Sequence, residues 1–479
     1  MVTNGSGVVR GAVTVQRYLD PSLNPGLGYR HFSAPISTAT VGSLATASFS
    51  PVLNPAYNAS AQPGTVTPFP TVYGYDQSRL ATANNNLAAF DQGWFSPVAL
   101  SDALTVGRGY AVNTGAGQTF SLTGPLNNGI VSQSLTRNGD ATAPDAGWQL
   151  LGNPYPAPLD YALVAAADRP GLDAAIYVFE SSSQYGGLYR ASVNGVGGSA
   201  NSSNTVLAQG QGFFVRVSSG QASGTLTLRN THRLTSYASP TYSRTAETRP
   251  LVQLDLQSAT GTDPLYVYFE HGATAGLDSE LDAVKLPNTT GLNLPAEAGT
   301  QRLAVDALPL LGTTQQVVPL AVGVPAAGSF SLRAARLLNL NTTPVYLRDL
   351  QTGAVIDLRQ QPSYQFTVAN ASGLLTNRFE LVFSPQQALA TVPATLAQQV
   401  ALYPNPAKKA AFVELPASLG RQVVTASLVD ALGRQVHTVS LPAQGALAHQ
   451  LDLSELAAGI YALRLRTSAG IVVKKLVIE

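Results

Sequence analysis

Tyr461, Leu463 and Leu465 alternate with Ala462, Arg464 and Arg466. A two-residue period marks a strand with one buried face. A turn at Thr467-Ser-Ala-Gly470 leads into Ile471-Val-Val-Lys-Lys-Leu-Val-Ile478, so the pair predicts a β-hairpin. Val423 to Val429 and Gln435 to Leu441 predict a second pair, joined by Asp430-Ala-Leu-Gly433. Asp suits the first position of such a turn because its carboxylate accepts turn amide hydrogens, and Gly tolerates positive φ at the fourth. Pro404 and Pro406 end an opening strand by removing two ladder donors. About seven short strands are expected between residues 399 and 479, which suits a small sandwich.

The same periodicity runs through the rest of the chain. Between about residues 12 and 246 two related halves follow one order. The first contains Tyr29-Arg-His-Phe-Ser-Ala-Pro35, Val72-Tyr-Gly-Tyr-Asp76 and Gly107-Arg-Gly-Tyr-Ala-Val112. The second contains Trp148-Gln-Leu-Leu-Gly-Asn-Pro-Tyr-Pro156, Ile176-Tyr-Val-Phe179 and Gly210-Gln-Gly-Phe-Phe-Val215. An aromatic-led strand enters a Pro turn, an aromatic strand follows, and a Gly-x-Gly-aromatic strand closes each half. This order reads as a diverged internal duplication. Gly210 and Gly212 are expected to allow a bulge or close backbone approach beside Phe213 or Phe214. Asn153 is expected to hydrogen-bond the local backbone. After a Thr/Ser/Tyr-rich connector, a third unit shows strands at 251–256, 265–269, 330–332, 345–347, 364–368 and 379–383. The expected organisation is a β-rich half at 1–130, a second at 131–246, a β-sandwich at 247–384, a linker at 385–398 and a terminal domain at 399–479. The fold class is therefore all-β: several β-sandwich or Ig-like domains in tandem, ending in a small seven-stranded sandwich.

Four motifs stand in order at the C-terminal end. They are Leu402-Tyr-Pro-Asn-Pro-Ala407, Asp430-Ala-Leu-Gly-Arg-Gln-Val436, Leu451-Asp-Leu-Ser-Glu-Leu-Ala-Ala-Gly-Ile-Tyr461 and Lys474-Lys-Leu-Val-Ile478. Together they resemble the type A C-terminal sorting domain of the type IX (Por) secretion system. The motif residues are Tyr403, Pro404, Asn405, Pro406, Asp430, Gly433, Arg434, Gly459, Tyr461, Lys474 and Lys475. The resemblance implies a Bacteroidota-type exported protein whose label is read by the type IX translocon and its sorting machinery. It also implies, for many members, removal of the label and attachment of the passenger to surface lipopolysaccharide. An ordinary terminal Ig-like domain is the competing reading. The Gly-Asn-Pro-Tyr-Pro run and Gly210-Gln-Gly-Phe-Phe-Val215 likewise resemble a module of type IX-exported surface proteins, for which no chemistry is implied.

Composition narrows the passenger. With 45% hydrophobic and 11% charged residues the chain is not of disordered type. A net charge of +1 offers no electrostatic case for nucleic acid. No apolar run reaches the length of a transmembrane helix. The absence of Cys removes disulfides, zinc thiolates and thiol nucleophiles. The first residues, Met1-Val-Thr-Asn-Gly-Ser-Gly7, have neither the basic nor the apolar region of a signal peptide. The expectation is a fragment, or a start placed late. The location expected is extracellular or the outer cell surface.

Candidate chemistry is sparse. His31, His232, His271, His437 and His449 form no His-x-x-x-His pair, and no Gly-x-Ser-x-Gly elbow is present. No catalytic residue is assigned and no enzyme activity is expected. Asp278, Glu280 and Asp282 form the densest acidic cluster. Their oxygens suit Ca²⁺, the first candidate for any metal, although a solvated loop with Asp282 capping a turn is the preferred reading. Gly195-Val-Gly-Gly198 lacks the spacing of a dinucleotide fingerprint. Aromatic residues at 73, 75, 94, 110, 155, 161, 185 and 189 are candidates for glycan contact, with core packing expected for those on strands. Tyr185 and Tyr189, beside Gly186-Gly187, are the pair expected to lie exposed in a loop. The function expected is an exported surface or secreted protein with an adhesive or structural β-passenger. The alternative is a carbohydrate-binding accessory region of a larger exported enzyme.

Overall fold

A computed structural model describes residues 9–138, 145–198, 205–234, 247–384 apart from 260, 313, 342 and 372, 399–416, 423–430, 434–442, 448–467 and 470–479. Gly433, the expected linker at 385–398, the N-terminal residues 1–8 and most of the 235–249 connector lie outside the described residues. So do the turn residues 431–432 and 468–469. The chain is all-β, its strands joined by loops and short 3₁₀ turns. It divides into two compact units. The first comprises Met1–Leu310, Pro319–Asn339 and Ser363–Thr376; the second comprises Leu311–Val318, Leu340–Pro362 and Asn377–Glu479.

The first unit opens with β1 (Val13–Tyr18), β2 (Gly28–Phe32), β3 (Val72–Tyr75), β4 (Trp94–Phe95), β5 (Tyr110–Thr114) and β6 (Thr119–Gly124). Their sheets run β2-β5-β3-β4 and β1-β6. Next come β7 (Val131–Thr136), β8 (Trp148–Gly152), β9 (Leu159–Asp160), β10 (Ile176–Ser181) and β11 (Gly187–Val193). After them lie β12 (Val196–Gly197), β13 (Val206–Leu207), β14 (Gly212–Arg216) and β15 (Ser223–Leu228). These form β12-β11-β10-β14-β8, β13-β9 and β15-β7. The aromatic-led strand, the Gly-x-Gly strand and the intermediate strand therefore neighbour one another in the same order, β2-β5-β3 and β8-β14-β10.

Gly210 and Gly212 make the close approach expected of them, Gly107 and Gly109 make one as well, and each segment makes it to the other half. The Gly109 N–H donates to the Leu150 carbonyl at 3.0 Å, and the Gly152 N–H donates to the Gly107 carbonyl at 3.0 Å. On the other side the Ser33 N–H donates to the Gly210 carbonyl at 2.8 Å. A Cβ on Gly109 would lie 2.5 Å from the Leu151 carbonyl oxygen, and one on Gly212 would lie 2.8 Å from the His31 Cβ. Only glycine leaves room for these backbone contacts. Phe213 and Phe214, beside the second seam, are fully buried. Asn153 caps the Pro turn as expected: its Oδ1 accepts from Tyr155 N at 3.0 Å, and its Nδ2 donates to the Ala157 carbonyl at 2.9 Å.

The remaining strands before the terminal domain are β16 (Leu251–Gln257), β17 (Thr262–Phe269), β18 (Ala283–Val284), β19 (Ala296–Ala298), β20 (Gln301–Leu308) and β21 (Gln316–Val322). They continue with β22 (Gly328–Leu338), β23 (Val345–Asp349), β24 (Ala354–Asp357), β25 (Ser363–Val368) and β26 (Leu375–Phe383). Within the first unit the order is β19-β20-β17-β16-β22-β25, with β18 paired to β20. All six segments expected here as strands are strands. β20 was not expected, because Leu303 to Leu308 are buried on both faces and show no alternation. Its pairing with β17 is parallel, which accords with that double burial.

In the second unit β24, β23 and β26 pair in that order, and Gly353 closes the predicted Asp349 turn at φ +74°. The terminal domain contains β27 (Ala401–Tyr403), β28 (Ala410–Glu414), β29 (Val423–Val429), β30 (Gln435–Pro442), β31 (Ala448–Asp452), β32 (Gly459–Thr467) and β33 (Gly470–Ile478). Among the described residues seven strands form two sheets, β27-β28-β31 and β30-β29-β32-β33. Val413 and Leu451 from the first share one core with Leu428, Leu463 and Leu465 from the second. Burying each such side chain contributes about 1.5–3 kcal/mol.

Candidate functional site

The first unit holds a cavity of about 520 Å³ walled by aromatic rings. Its floor follows from strand register. On β2, β5 and β3 the residues His31, Ala111 and Tyr73 stand in one cross-strand row, because Ala111 pairs with both others. A methyl group between two rings leaves a hollow. Tyr29, two residues before His31, lies on the same face. Its ring is 5.9 Å from Tyr73 in an edge contact, and Tyr57 meets Tyr73 at 5.2 Å. Tyr57 is carried on the 3₁₀ turn Pro55–Asn58, whose start is capped when Asn54 Oδ1 accepts from Ala56 N.

A second 3₁₀ turn, Phe90–Gly93, supplies Phe90 and Asp91. Trp94 follows on β4 and packs edge-on against Tyr75 at 5.1 Å. From the second half, Phe179 stacks on His31 at 5.2 Å and contacts Tyr189 at 5.0 Å. The rim includes Pro287, Asn288 and Thr289. Asn288 Oδ1 accepts from Tyr189 N at 2.8 Å, and its Nδ2 donates to Asp263 at 2.7 Å. Asp263 also takes two bonds from Lys285, at 2.7 and 2.6 Å, so a buried ion pair fixes the rim.

Burial sets the protonation states. It pushes the His31 imidazole down to about 3, so the ring is neutral at physiological pH. It pushes the phenol of Tyr57 up to about 12 and raises those of Tyr29, Tyr73 and Tyr189. The Asp91 carboxyl is raised by burial and by Asp145, against a lowering hydrogen bond from the Trp94 side chain. Burial also raises Asp145, against Arg216. Asp91 and Asp145 are thus the charged groups of the wall; no Lys or Arg stands among its described residues.

A second cavity, about 550 Å³, is lined by Arg17, Arg30, Arg190 and Glu180. Its cations are bound to protein. Arg17 donates to the Gly210 carbonyl and to Gln211 Oε1, Arg30 to the Asn24 carbonyl at 2.6 Å, and Arg190 pairs with Glu180 at 2.7 Å. The aromatic cavity is therefore the stronger candidate for a ligand.

The predicted glycan pair separates. Tyr185 is 56% exposed in the β10–β11 hairpin, 6.3 Å from Tyr29. Tyr189 corrects the expectation: it lies within β11 and is only 7% exposed. Gly187 begins that strand, and a Cβ there would meet the Phe179 ring at 2.1 Å. Gly186 thus belongs to the hairpin loop, while Gly187 serves ring packing at the start of the strand. Tyr185 and Tyr189 nevertheless line the same cavity. Tyr73 and Trp94, candidates from the sequence, also line it, together with Tyr29, Tyr57, Asp91 and Ala111, which no sequence motif marks as site residues.

The acidic cluster does not converge. Glu280 pairs with Arg169 at 2.6 Å, and Asp278 accepts from the Thr274 hydroxyl and amide at 3.0 and 2.6 Å. Asp282 is buried and accepts from the amides of Asp278 and Ala307, both at 2.6 Å. Burial, with Asp306 and Asp278 nearby, raises the Asp282 carboxyl to about 7. Three carboxylates with three separate sets of partners do not make the calcium site considered from sequence. Among the described residues no group of three or more His, Asp or Glu could hold a metal.

In the terminal domain Asn405 ties the opening segment to the last strand. Its Oδ1 accepts from Val477 N at 2.9 Å and its Nδ2 donates to the Lys475 carbonyl at 2.7 Å. Tyr403, Pro404 and Pro406 flank it on the surface, and Tyr403 is exposed. Asp430 accepts from the amide and the guanidinium of Arg434, each at 2.9 Å. Tyr461 is buried, and its hydroxyl donates to the Ala457 carbonyl at 2.8 Å. Gly459 opens β32 opposite Ile478. On β33, Lys474 is half-buried and Lys475 exposed.

A family model described as Domain of unknown function (DUF8693) matches residues 11–383. The chain belongs to the DUF8693 family. A second model, described as Secretion system C-terminal sorting domain, matches residues 401–479. The DUF8693 region is thus followed by a type IX sorting domain, as the four motifs implied. The protein is targeted for secretion to the cell surface or extracellular space and is handled by the type IX machinery. Among the described residues no helix is long and apolar enough to cross a membrane.

No curated protein matches this chain. Among solved structures, an FMN-binding β-glucuronidase from Facaelibacterium prausnitzii L2-6 is 11% identical, with 48% of this chain and 39% of that chain covered and a TM-score of 0.14. Dimeric latent PorU from Porphyromonas gingivalis is 11% identical, with 80% and 36% covered and a TM-score of 0.14. The chain spans well under half the length of either. At these TM-scores neither likeness carries an argument.

Proposed function

We propose that the DUF8693 passenger is a non-enzymatic adhesive module that works outside the cell and takes a ligand in its aromatic cavity. The observation that carries this reading is the conjunction of a sorting domain with a ring-walled cavity of about 520 Å³, a size typical of small-molecule sites. The histidines support binding without turnover. His31 is held neutral among rings, and His232 Nδ1 accepts from Arg229 N at 3.2 Å while its other nitrogen faces Asp168. A carbohydrate-binding accessory role in a larger exported enzyme is the second reading, favoured by the exposed Tyr185 beside Tyr29.

Three finer features belong to the same proposal. The passenger arose by internal duplication, supported by the matching orders β2-β5-β3 and β8-β14-β10. The terminal domain is Ig-like, supported by its seven strands in two sheets. After export the label is removed and the passenger is fixed to surface lipopolysaccharide.

The test is expression of the native gene in its own host with and without residues 399–479. Label-dependent display, with adhesion or glycan binding by the displayed protein, is the expected result. Display without binding to any cell or glycan surface would refute the passenger reading.

A further inference from the structure

We propose that the aromatic cavity selects a compact organic cation: a protonated amine or quaternary ammonium on a small apolar or sugar scaffold. This rests on the reading of the passenger as a binding module, and it names the chemistry of that module's ligand.

Charge complementarity is the first argument. Asp91 and Asp145 line the cavity, and no Lys or Arg does so among the described residues. An anionic ligand would meet two carboxylates and no Lys or Arg in the described wall; Arg216, which acts on Asp145, is not among the lining residues. A cation would neutralise them where burial already disfavours their charge.

The walls are the second. Tyr29, Tyr57 and Tyr73 meet in edge contacts, so their faces and edges enclose one end of the cavity from several directions. Cations are attracted to ring faces, most strongly where water is excluded. Trp94, the best such ring, lines the same cavity as Asp91, and its side chain lowers the Asp91 carboxyl against the effect of burial.

The polar groups of the rim favour a cation over a neutral sugar. A neutral sugar needs amide and hydroxyl partners for its own hydroxyls. The rim amide is already in use: Asn288 Oδ1 accepts from Tyr189 N, and its Nδ2 donates to Asp263 and to the Leu292 carbonyl. Thr289 Oγ1 accepts from Gly187 N at 2.9 Å. With these two groups committed to the protein, a neutral sugar would be left with the carboxylates and the tyrosine hydroxyls as partners, and its hydroxyls would hydrogen-bond the carboxylates without neutralising them, as a cation would.

Titration of the full purified chain tests this, read by calorimetry and by tryptophan fluorescence. Trp94 lies in the wall, and the other tryptophan, Trp148, is buried. The probes are tetramethylammonium, glucosamine, glucose and N-acetylglucosamine. The expected result is millimolar or tighter binding of a cation, at least about tenfold stronger than of the neutral sugars. Preference for tetramethylammonium assigns an alkylammonium; preference for glucosamine assigns an amino sugar. Asp91→Asn should weaken the cation about tenfold while the neutral sugars are unchanged, and Asp145→Asn, at a less buried position, gives the same test if the first variant folds poorly. Equal binding of glucosamine and N-acetylglucosamine with tetramethylammonium no tighter than either would overturn the inference, as would failure of both cations to bind at millimolar concentration. Neutral sugars binding alone would overturn it while leaving the binding-module reading intact. That reading falls separately, if the displayed protein adheres to nothing.

Discussion

In the first half of the passenger the row across β2, β5 and β3 reads His31, Ala111, Tyr73. In the second half the corresponding row across β8, β14 and β10 reads Leu150, Phe214, Tyr177. The strand order is the same and the outer residues are similar in bulk. The central residue is a methyl group in one and a phenyl ring in the other. Phe214 is fully buried, 5.1 Å from Tyr75 and 5.4 Å from Phe90, and its row is closed. Ala111 leaves its row open, and the cavity lies there. One sheet plan thus serves as packed core in one half and borders an open, ring-walled cavity in the other.

The largest expected effect is at the filled position. Phe214→Ala should destabilise the chain by about 3–5 kcal/mol, measured by chemical denaturation, because truncating a buried aromatic leaves a cavity. A cost under about 1 kcal/mol would mean that the second row is not closed in the way described.

The two seams come next. Gly109→Ala and Gly212→Ala should each cost about 1–3 kcal/mol, since a Cβ at either position overlaps the other half. Melting curves that separate the two variants widely would break the equivalence of the seams.

His31 distinguishes the rows by pH. Its folded pKa is depressed to about 3, so between there and about 6.5 the unfolded chain binds the extra proton. Stability from this group is therefore complete above about pH 6.5 and is lost as pH falls toward 3. His31→Leu, which copies Leu150, should lessen that acid loss by about 1 kcal/mol near pH 5.5 and change the slope little above neutrality. Identical acid profiles would contradict burial of a neutral imidazole.

The smallest effect on stability is expected at the rim. Tyr185→Ala should change stability by under about 0.5 kcal/mol because the ring is exposed, yet it should weaken ligand binding. Unchanged affinity would place the ligand deeper, among Tyr29, Tyr73 and Trp94.

Strands with one buried face were legible in the sequence because a period of two survives without knowledge of the partner strand. The sorting domain was legible because its motifs are contiguous; Asn405 and Tyr461 act through the fold but announce themselves locally. β20 was hidden because burial on both faces erases the alternation. The cavity was hidden because Tyr29, Tyr57, Asp91, Tyr185 and Asn288 meet only after folding. One signal was present: Gly-Arg-Gly-Tyr-Ala111 set beside Gly-Gln-Gly-Phe-Phe214 shows a small residue where its counterpart is an aromatic. Tyr189 was misread because Gly186-Gly187 resembles a loop, whereas Gly187 makes room for Phe179.

The most direct measurement is binding by the full chain carrying Ala111→Phe, the residue found at the matching position of the other half. The account predicts that this variant folds and is exported, retains its melting temperature to within a few degrees, and loses both ligand binding and adhesion. Binding and adhesion at wild-type strength in a folded, exported Ala111→Phe chain would contradict a ligand site in this cavity.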